Sequence, residues 1–306
     1  MSKCVPLVCF ALGLLSIAER GYAQFAEAHH YDNAPVGVNQ VELAYAYAHS
    51  NASIDTALVV AGAKFNLNQG TITYTRYFGF VRRVSWFEAS VPVANLGGSV
   101  SGTNVHGAAT GAGDSSFAWT ALLKGGPALS VAEFADYKPT TVVGISLTIT
   151  APTGHYNSNK LLNLGTDRWS FKPEIAMSHP FGREQKWQCD LYGHAYFFTD
   201  NTSYRGNEVL RQQPLPGLEG HISYFVVNNV WASIDALYSF RGETIVNGVN
   251  QNNEQKNFAL GSEVNISLNR QNSLVIQFAK ALVHQNGPSI TGFAVKYTHS
   301  WGRGYR

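Results

Sequence analysis

Residues 216–241, PGLEGHISYFVVNNVWASIDALYSFR, decide the fold of this chain, because apolar and polar side chains alternate through two successive segments. The first segment alternates apolar Leu218, Ile222, Tyr224 and Val226 with polar Glu219, His221 and Ser223. The second alternates Val230, Ile234, Ala236 and Tyr238 with Ser233, Asp235 and Ser239. A period of two is typical of a strand with one apolar face. With Asn228-Asn229 as the turn, the stretch predicts an antiparallel hairpin.

The same alternation recurs along the chain, and beyond residue 30 no segment shows a sustained helical period. Most of the predicted strands are about ten residues long, the length that a tilted strand needs to cross a membrane. An even number of strands lets both chain ends lie on one side of the membrane. The prediction is twelve strands, over residues 40–49, 71–79, 84–94, 115–125, 141–152, 168–178, 186–198, 216–227, 230–241, 257–268, 272–284 and 290–301.

The connections between these strands alternate in length. The short ones lie near residues 79–83, 179–185, 228–229 and 269–272, and the long ones at 50–70, 95–114, 153–167, 199–215 and 242–256. Two connections break the rule, because 126–139 is long and 285–289 is short. Short periplasmic turns and long outer loops are typical of bacterial outer-membrane barrels, whereas a soluble sandwich has no reason to alternate them. The predicted fold is all-β, a twelve-stranded antiparallel transmembrane β-barrel over residues 40–301.

Composition supports a barrel and excludes other classes. Charged residues make up 14% of the 306 residues, against about 25% in a typical soluble domain. The formal net charge of +2 argues against nucleic-acid binding and against a disordered chain. No apolar run is long enough for a membrane-spanning helix.

The first residues resemble an export signal. Lys3 precedes an apolar stretch over residues 5–18, and Gly21 and Ala23 are small residues at the −3 and −1 positions of a cleavage site. The prediction is a signal peptide over residues 1–23 and a location in the bacterial outer membrane. Residues 24–39 form an N-terminal segment without a strand pattern, either a plug in the lumen or a loose periplasmic tail, and the tail is slightly favoured. Residues 302–306 form a C-terminal tail.

If the apolar parity of each strand faces lipid, the polar parity faces the lumen. A charged side chain at the bilayer midplane costs about 2–4 kcal/mol for Arg or Lys, so an inward direction is favoured. The candidate lumen-lining residues are Glu88, Lys172, Glu174, Asp190, His194, Glu219, His221, Asp235, Arg241, Glu263 and Lys296. An alternative is that these side chains only fill and cross-brace a narrow barrel.

Other segments carry weaker signals. His29-His30 is a poor metal site, since adjacent histidines without further ligands are usually solvated. Residues 57–67 are apolar inside a predicted outer loop, and either fold over the mouth as an apolar pocket or form an extra strand. The six tryptophans lie near strand ends, as expected at a membrane–water boundary, although they could be core residues. Cys189 lies on an apolar parity and is interpreted as a packed thiol rather than a nucleophile.

A family resemblance enters through several longer motifs. They include residues 151–156, APTGHY, residues 162–174, LNLGTDRWSFKPE, residues 197–201, FFTDN, and residues 231–236, WASIDA. These motifs resemble the bacterial outer-membrane barrel family named for the meta-cleavage pathway of phenol degradation, whose members are described as transporters. The resemblance covers most of the chain after the signal peptide and implies a Gram-negative outer-membrane transporter inserted by the barrel-assembly machinery. The family pattern ends at an aromatic residue, here Trp301, whereas this chain continues to Arg306.

The expected function is therefore passive uptake of small hydrophobic or aromatic solutes, through an apolar outer pocket and a selective lumen. The partners would be those solutes and outer-membrane lipid, with no nucleic acid, no cofactor and no bound metal. One alternative is an outer-membrane lipid hydrolase that uses His221, Ser223 and Asp235, since a serine nucleophile needs a histidine base and an orienting acid. Parity points His221 and Ser223 away from lipid, which disfavours an enzyme. A second alternative is a closed barrel with a structural or binding role.

Overall fold

The structure is a computed structural model, and it describes residues 27–51, 63–101, 106–160, 162–302 and residue 304. The predicted signal peptide over residues 1–23 lies outside these residues and stays a prediction, as does most of the C-terminal tail. Within the described part of the chain, a helix able to cross a membrane is not found.

Twelve antiparallel strands close into a barrel, which confirms the predicted fold and strand number. The barrel closes because the first strand, β1 (Val38–Ser50), pairs with β2 (Ala63–Phe80) on one side and with the last strand, β17 (Thr291–Gly302), on the other. Val38 lies opposite Gly302 in the closing pair. The barrel strands are β1 Val38–Ser50, β2 Ala63–Phe80, β3 Arg83–Val100, β5 Ser116–Lys124, β6 Val142–Thr150, β7 Ser170–Phe181, β8 Trp187–Phe198, β11 Leu215–Val227, β12 Val230–Arg241, β15 Gln255–Ser267, β16 Asn272–Gln285 and β17 Thr291–Gly302.

The outer connections carry five further strands, where the sequence predicted only loops. β4 His106–Ala112 pairs with the outer half of β3. The other four form a separate small sheet that joins two neighbouring outer loops through the pairing of β10 with β13. They are β9 Asn201–Tyr204, β10 Glu208–Gln212, β13 Thr244–Val246 and β14 Val249–Asn250.

The periplasmic connections are short, apart from the one over residues 125–141. That connection holds helix α1, Val131–Phe134, and a single 3-10 turn follows later at Arg183–Gln185. The β2–β3 hairpin turns on Val81 and Arg82 alone, both with positive φ, as two-residue hairpins of one common type require. The unusual conformation of a β-branched valine there is imposed by the pairing of eighteen residues in each strand.

Two strands, β2 and β3, extend at least six residues beyond a predicted end. β2 starts at Ala63 rather than at residue 71, and β3 continues to Val100 rather than ending at residue 94. The outer ends of β2 and β3 continue to pair beyond the strand bounds that the alternation predicted, and Ala63 lies opposite Val100. Residues 63–67 of the apolar segment 57–67 therefore belong to β2 and not to an extra strand, and residues 57–62 lie outside the described residues.

The alternation sorts side chains as expected, with an apolar outer face and a polar interior. Ile234 is 70% exposed and Leu218 is 59% exposed, as lipid-facing side chains are when no lipid is counted. The neighbouring positions Asp235 and Glu219 are buried on the inside. Two tryptophans depart from the predicted boundary position, because Trp86 and Trp231 are buried in the interior.

Candidate functional site

A polar cavity of about 430 Å³ occupies the lumen between the chain's N-terminal segment and the outer loops. Its volume is within the range of small-molecule sites, about 300–1,000 Å³. Hydroxyl and amide side chains from eight barrel strands dominate the lining. They are Gln40, Thr73, Thr75, Ser90, Ser116, Thr120, Ser146, Thr148, Asn265, Ser273 and Thr298.

The charged groups of the cavity are mostly acidic. The lining contains the carboxyl groups of Glu27, Glu42, Glu88 and Glu174, against the single ammonium group of Lys172. The Nζ atom of Lys172 lies 3.1 Å from Oε2 of Glu174, so this cation is already paired. The cavity is therefore suited to neutral or cationic solutes rather than to anions.

Residues 27–37 pack inside the lumen near its periplasmic end, and we call them the plug. Tyr31 is completely buried among Trp86, Leu122 and Tyr192, which project inward from the barrel wall. Its hydroxyl group donates a hydrogen bond to Oε1 of Glu174 at 2.8 Å. Residues 27–37 are thus not a loose periplasmic tail, the interpretation that the sequence slightly favoured, because their aromatic and apolar side chains pack against inward-facing residues of the wall.

A second set of contacts fixes the plug to β8 and to the adjacent strand β11. Nε2 of His29 lies 2.7 Å from Oγ of Ser223, and Nδ1 of the same ring lies 2.8 Å from Oδ2 of Asp32. The backbone N–H of His29 donates to Oδ2 of Asp190 at 3.2 Å, and Gln188 donates to Asp32 at 2.7 Å. The sequence predicted a solvated His29, but its ring is buried between Ser223 and Asp32.

The plug is also tied to the wall and to the long periplasmic connection. Glu27 forms an ion pair with Lys296. The backbone N–H of Val36 donates to the carbonyl oxygen of Leu129 at 2.8 Å, and the side chain of Asn33 donates to the carbonyl oxygen of Pro127 at 3.2 Å. The unexpected length of the 125–141 connection has a structural reason, since it supports the plug from below.

Apolar side chains form a cluster at the outer end of the lumen, where β2 and β3 meet the loop over residues 151–169. Leu162 and Leu164 of this loop pack on Phe65 and Leu96. Asp114 holds the loop in place, because its carboxylate accepts hydrogen bonds from the backbone N–H groups of Gly154 and Thr166, both at 2.8 Å. We call these four apolar residues the mouth cluster. The mouth cluster is buried and joins this loop to the outer ends of β2 and β3.

Most of the predicted lumen residues lie inside the barrel, but they do not form one site. Glu88, Lys172 and Glu174 line the cavity. His194, Glu219, His221 and Asp235 form a buried cluster beside it, and Asp190 contacts the plug. Glu263 accepts a hydrogen bond from Gln277, and Lys296 pairs with Glu27. Arg241 lies exposed at the outer end of β12, where its φ of 68° ends the strand, and it does not line the cavity.

The predicted hydrolase residues do not assemble as that alternative requires. Nδ1 of His221 lies 2.8 Å from Oδ1 of Asp235, but the hydroxyl group of Ser223 is bonded to His29. His221 and Ser223 are both buried on the inner side of β11, away from lipid. A Ser–His–Asp row does exist, made of Ser223, His29 and Asp32, yet Ser223 is completely buried and lies under the ring of His29, which packs on Trp231 at 4.3 Å.

The sequence reasoning missed three groups that matter here. Glu42 lies on the polar parity of β1, between lipid-facing Val41 and Leu43, so the alternation could have identified it. Tyr31 and Asp32 belong to a segment without periodicity. Nothing in the sequence predicts that this segment enters the lumen, because its partners lie on strands 46–194 residues further along.

Comparisons with known proteins agree with this architecture. Residues 48–297 match the family described as "Putative MetA-pathway of phenol degradation". The crystal structure of an outer membrane channel from Pseudomonas putida F1 is similar, with a TM-score of 0.77 and 21% sequence identity, over 90% of this chain and 100% of that one. The β domain of the Bordetella autotransporter BrkA is similar with a TM-score of 0.52 and 10% identity, over 87% and 100% of the two chains. No curated protein matches at a significant level. The likeness shows the fold, and the apolar outer face of a closed barrel locates the chain in the bacterial outer membrane.

Proposed function

The chain belongs to the phenol-degradation family of outer-membrane barrels, and from that premise we propose that it is a passive channel for small, neutral aromatic solutes that carry hydroxyl groups. This narrows the expectation drawn from the sequence, which included apolar solutes in general. The cavity lining carries the proposal. An apolar molecule in the cavity would displace water from many hydroxyl and carboxyl groups and would not replace the lost hydrogen bonds. Leaving these polar groups without partners costs free energy of binding.

The acidic groups of the cavity narrow the proposed class of solutes further. Glu27, Glu42, Glu88 and Glu174 surround the cavity, and Lys172 and Lys296 are engaged by Glu174 and Glu27. A carboxylate-bearing aromatic solute would meet like charge with little compensation, whereas a phenol-type solute is neutral at pH 7 and offers a donor and an acceptor.

Aromatic side chains at the cavity support an aromatic solute. Tyr77 lines the cavity, and its ring lies 5.5 Å from that of Trp86. Aromatic rings pair at centroid separations of about 4.5–7 Å, so these side chains suit a flat ring with polar substituents. The family description, phenol degradation, is consistent with this class of solute.

Uptake measurements test the proposal. Cells with and without the chain, at equal outer-membrane integrity, would be given limiting concentrations of labelled catechol, benzoate or toluene. We expect several-fold faster catechol uptake with the chain and little change for benzoate or toluene. Glu88→Gln removes one cavity charge and should raise benzoate uptake relative to catechol. Equal uptake of catechol with and without the chain, or a gain for toluene alone, would contradict the proposal.

We propose that the Ser223, His29 and Asp32 row holds the plug and has no catalytic role. A nucleophile must reach the carbonyl carbon of its substrate, and the Ser223 hydroxyl group is completely buried against His29. A serine-directed fluorophosphonate probe should therefore leave Ser223 unlabelled in the folded barrel. Labelling that Ser223→Ala abolishes would instead support the hydrolase alternative.

A further inference from the structure

Three side chains from neighbouring strands converge beside the cavity. Glu174 on β7 lies directly opposite His194 on β8, and Glu219 is on the next strand, β11. Their side chains are 2%, 5% and 1% exposed. Buried carboxyl groups need a cation or hydrogen-bond donors beside them, and Lys172 pairs with one of the two, Glu174.

The distances between the three donor atoms match those of a metal site. Nδ1 of His194 lies 3.3 Å from Oε1 of Glu219 and 3.6 Å from Oε2 of Glu174, and all the donor atoms lie within 4.8 Å of one another. Zinc bonds of about 2.0–2.2 Å place neighbouring ligand atoms of a tetrahedral site about 3.3–3.6 Å apart. The two separations from His194 therefore match those around one ion, and the two carboxylate oxygens lie within 4.8 Å of each other.

Two buried imidazole nitrogens point into this cluster without a hydrogen-bond partner among the described residues. They are Nδ1 of His194 and Nε2 of His221. The carboxylate of Asp235 accepts a hydrogen bond from Nδ1 of His221 at 2.8 Å, so Nε2 carries the lone pair in the neutral ring. A carboxylate behind an imidazole in this way is the usual support of a metal-binding histidine. Nε2 of His221 lies 3.9 Å from Oε2 of Glu219, at the edge of the same cluster.

We propose that Glu174, His194 and Glu219 form a binding site for a divalent transition-metal ion, with His221 beside them at the edge of the site. The mixture of imidazole and carboxylate donors and their tetrahedral spacing fit Zn²⁺ better than Ca²⁺ or Mg²⁺, which take six or more oxygen ligands. The proposal concerns a site beside the cavity and is independent of the proposed solute class. It also goes beyond the sequence, which predicted no metal site.

The cavity gives the ion a route to the site, since Glu174 and Lys172 line it. Lys172 is the natural competitor, because its Nζ atom lies 3.1 Å from the same Glu174 oxygen that would bind the metal. The other oxygen of Glu174 accepts the hydrogen bond of Tyr31, so the carboxylate of Glu174 would connect a bound ion to the plug.

Metal titration of the purified full chain in detergent micelles tests this site. After chelator treatment, Zn²⁺ would be titrated against a chromophoric chelator, and Co²⁺ would report coordination through its visible absorption. We expect one Zn²⁺ per barrel and a tetrahedral Co²⁺ spectrum. His194→Gln removes a proposed ligand and should weaken binding by about 100-fold. Asp235→Asn removes the carboxylate that orients the ring of His221 and should weaken binding by about 10-fold. The matched control, His284→Gln, changes an exposed histidine near the outer end of β16 and should have no effect.

A variant that should bind Zn²⁺ more tightly keeps the test decisive if His194→Gln or Asp235→Asn folds poorly. Lys172→Gln removes the competing cation and should strengthen Zn²⁺ binding by about 10-fold. Binding that is absent below millimolar Zn²⁺ in the unaltered chain would overturn the proposal. So would binding that is unchanged in folded His194→Gln, or that Lys172→Gln leaves unchanged or weakens.

Discussion

The phenolic oxygen of Tyr31 lies 2.8 Å from Oε1 of Glu174, and this bond joins the plug to the inner wall of the barrel. The same hydroxyl group lies 3.0 Å from Oγ of Ser146 on the neighbouring strand. The other oxygen of Glu174 forms an ion pair with the ammonium group of Lys172, so one carboxylate contacts both the plug and the cation of the cavity. Tyr31 therefore links the plug to the charge pair of the cavity, alongside the contacts of His29, Asp32 and Glu27.

Tyr31→Phe should loosen the plug and raise the conductance of the channel. The variant keeps the ring among Trp86 and Tyr192 but leaves the buried Glu174 oxygen without its donor, which costs about 1–3 kcal/mol. A penalty of that size raises the population of the displaced plug by roughly 5- to 150-fold. Single-channel recordings in planar bilayers would measure the change as more frequent or longer openings.

The matched control is Tyr74→Phe, which removes a hydroxyl group bonded to Asn39 at 2.8 Å on the outer face of the barrel. It should leave the recordings unchanged. Gly144→Ala is a second test of the plug, because a Cβ atom there would lie 2.5 Å from Cδ1 of Tyr31 and must displace the ring. If both plug variants conduct like the unaltered chain, the Tyr31 contacts do not control closure.

Asp114→Ala should release the outer loop over residues 151–169. The carboxylate accepts from two backbone N–H groups and from the hydroxyl group of Thr166 at 2.7 Å, and its loss leaves these donors without a protein partner. Trypsin should then cut after exposed Lys160 several-fold faster than in the unaltered chain. Asp200→Ala, which breaks an exposed pair with Arg211, is the control and should leave the cleavage rate unchanged. An unchanged rate in Asp114→Ala would mean that the mouth cluster alone holds the loop.

The barrel could be predicted from the sequence because its signal is repeated in every strand. In the hairpin over residues 216–241, each polar residue between two apolar ones faces the lumen, and the same rule identified Glu174, Glu219 and Asp235. The rule fails where a strand leaves the membrane. Arg241 follows the inward parity but lies at an exposed strand end, and residues 63–70 of β2 continue to pair without an apolar face to mark them.

The plug could not be predicted, for a physical reason. A short segment without regular structure is held by individual contacts, such as His29 with Ser223 and Tyr31 with Glu174, and such contacts leave no periodic trace in the sequence. The same argument explains Trp86 and Trp231. Their place near strand ends indicated a membrane boundary, but both occupy the inward parity and pack against residues of the plug.

Ser130→Ala should raise the pKa of Glu133 in the periplasmic connection. The hydroxyl group and the backbone N–H of Ser130 donate to Oε2 of Glu133 at 2.7 and 2.8 Å and hold the pKa of this exposed carboxyl below its ordinary value. Since the folded pKa is the lower one, the contribution of this helix cap is present above the ordinary pKa and is lost as the pH falls through the folded pKa. A carboxyl NMR titration, assigned with Glu133→Gln, would measure the shift. An unchanged pKa in Ser130→Ala would show that the backbone bond alone causes the lowering.

Two exposed aliphatic side chains should respond in opposite ways to the same substitution. Ile234 is 70% exposed on the outer face of β12, and Val249 is 64% exposed on β14 in an outer loop. Because lipid surrounds the first and water the second, Ile234→Arg should lower the free energy of unfolding from phospholipid vesicles by about 2–4 kcal/mol. Val249→Arg should change it by less than about 0.5 kcal/mol. Urea titrations of both variants in the same vesicles would measure the difference. Equal and small effects would contradict the assignment of the β12 outer face to the hydrocarbon core.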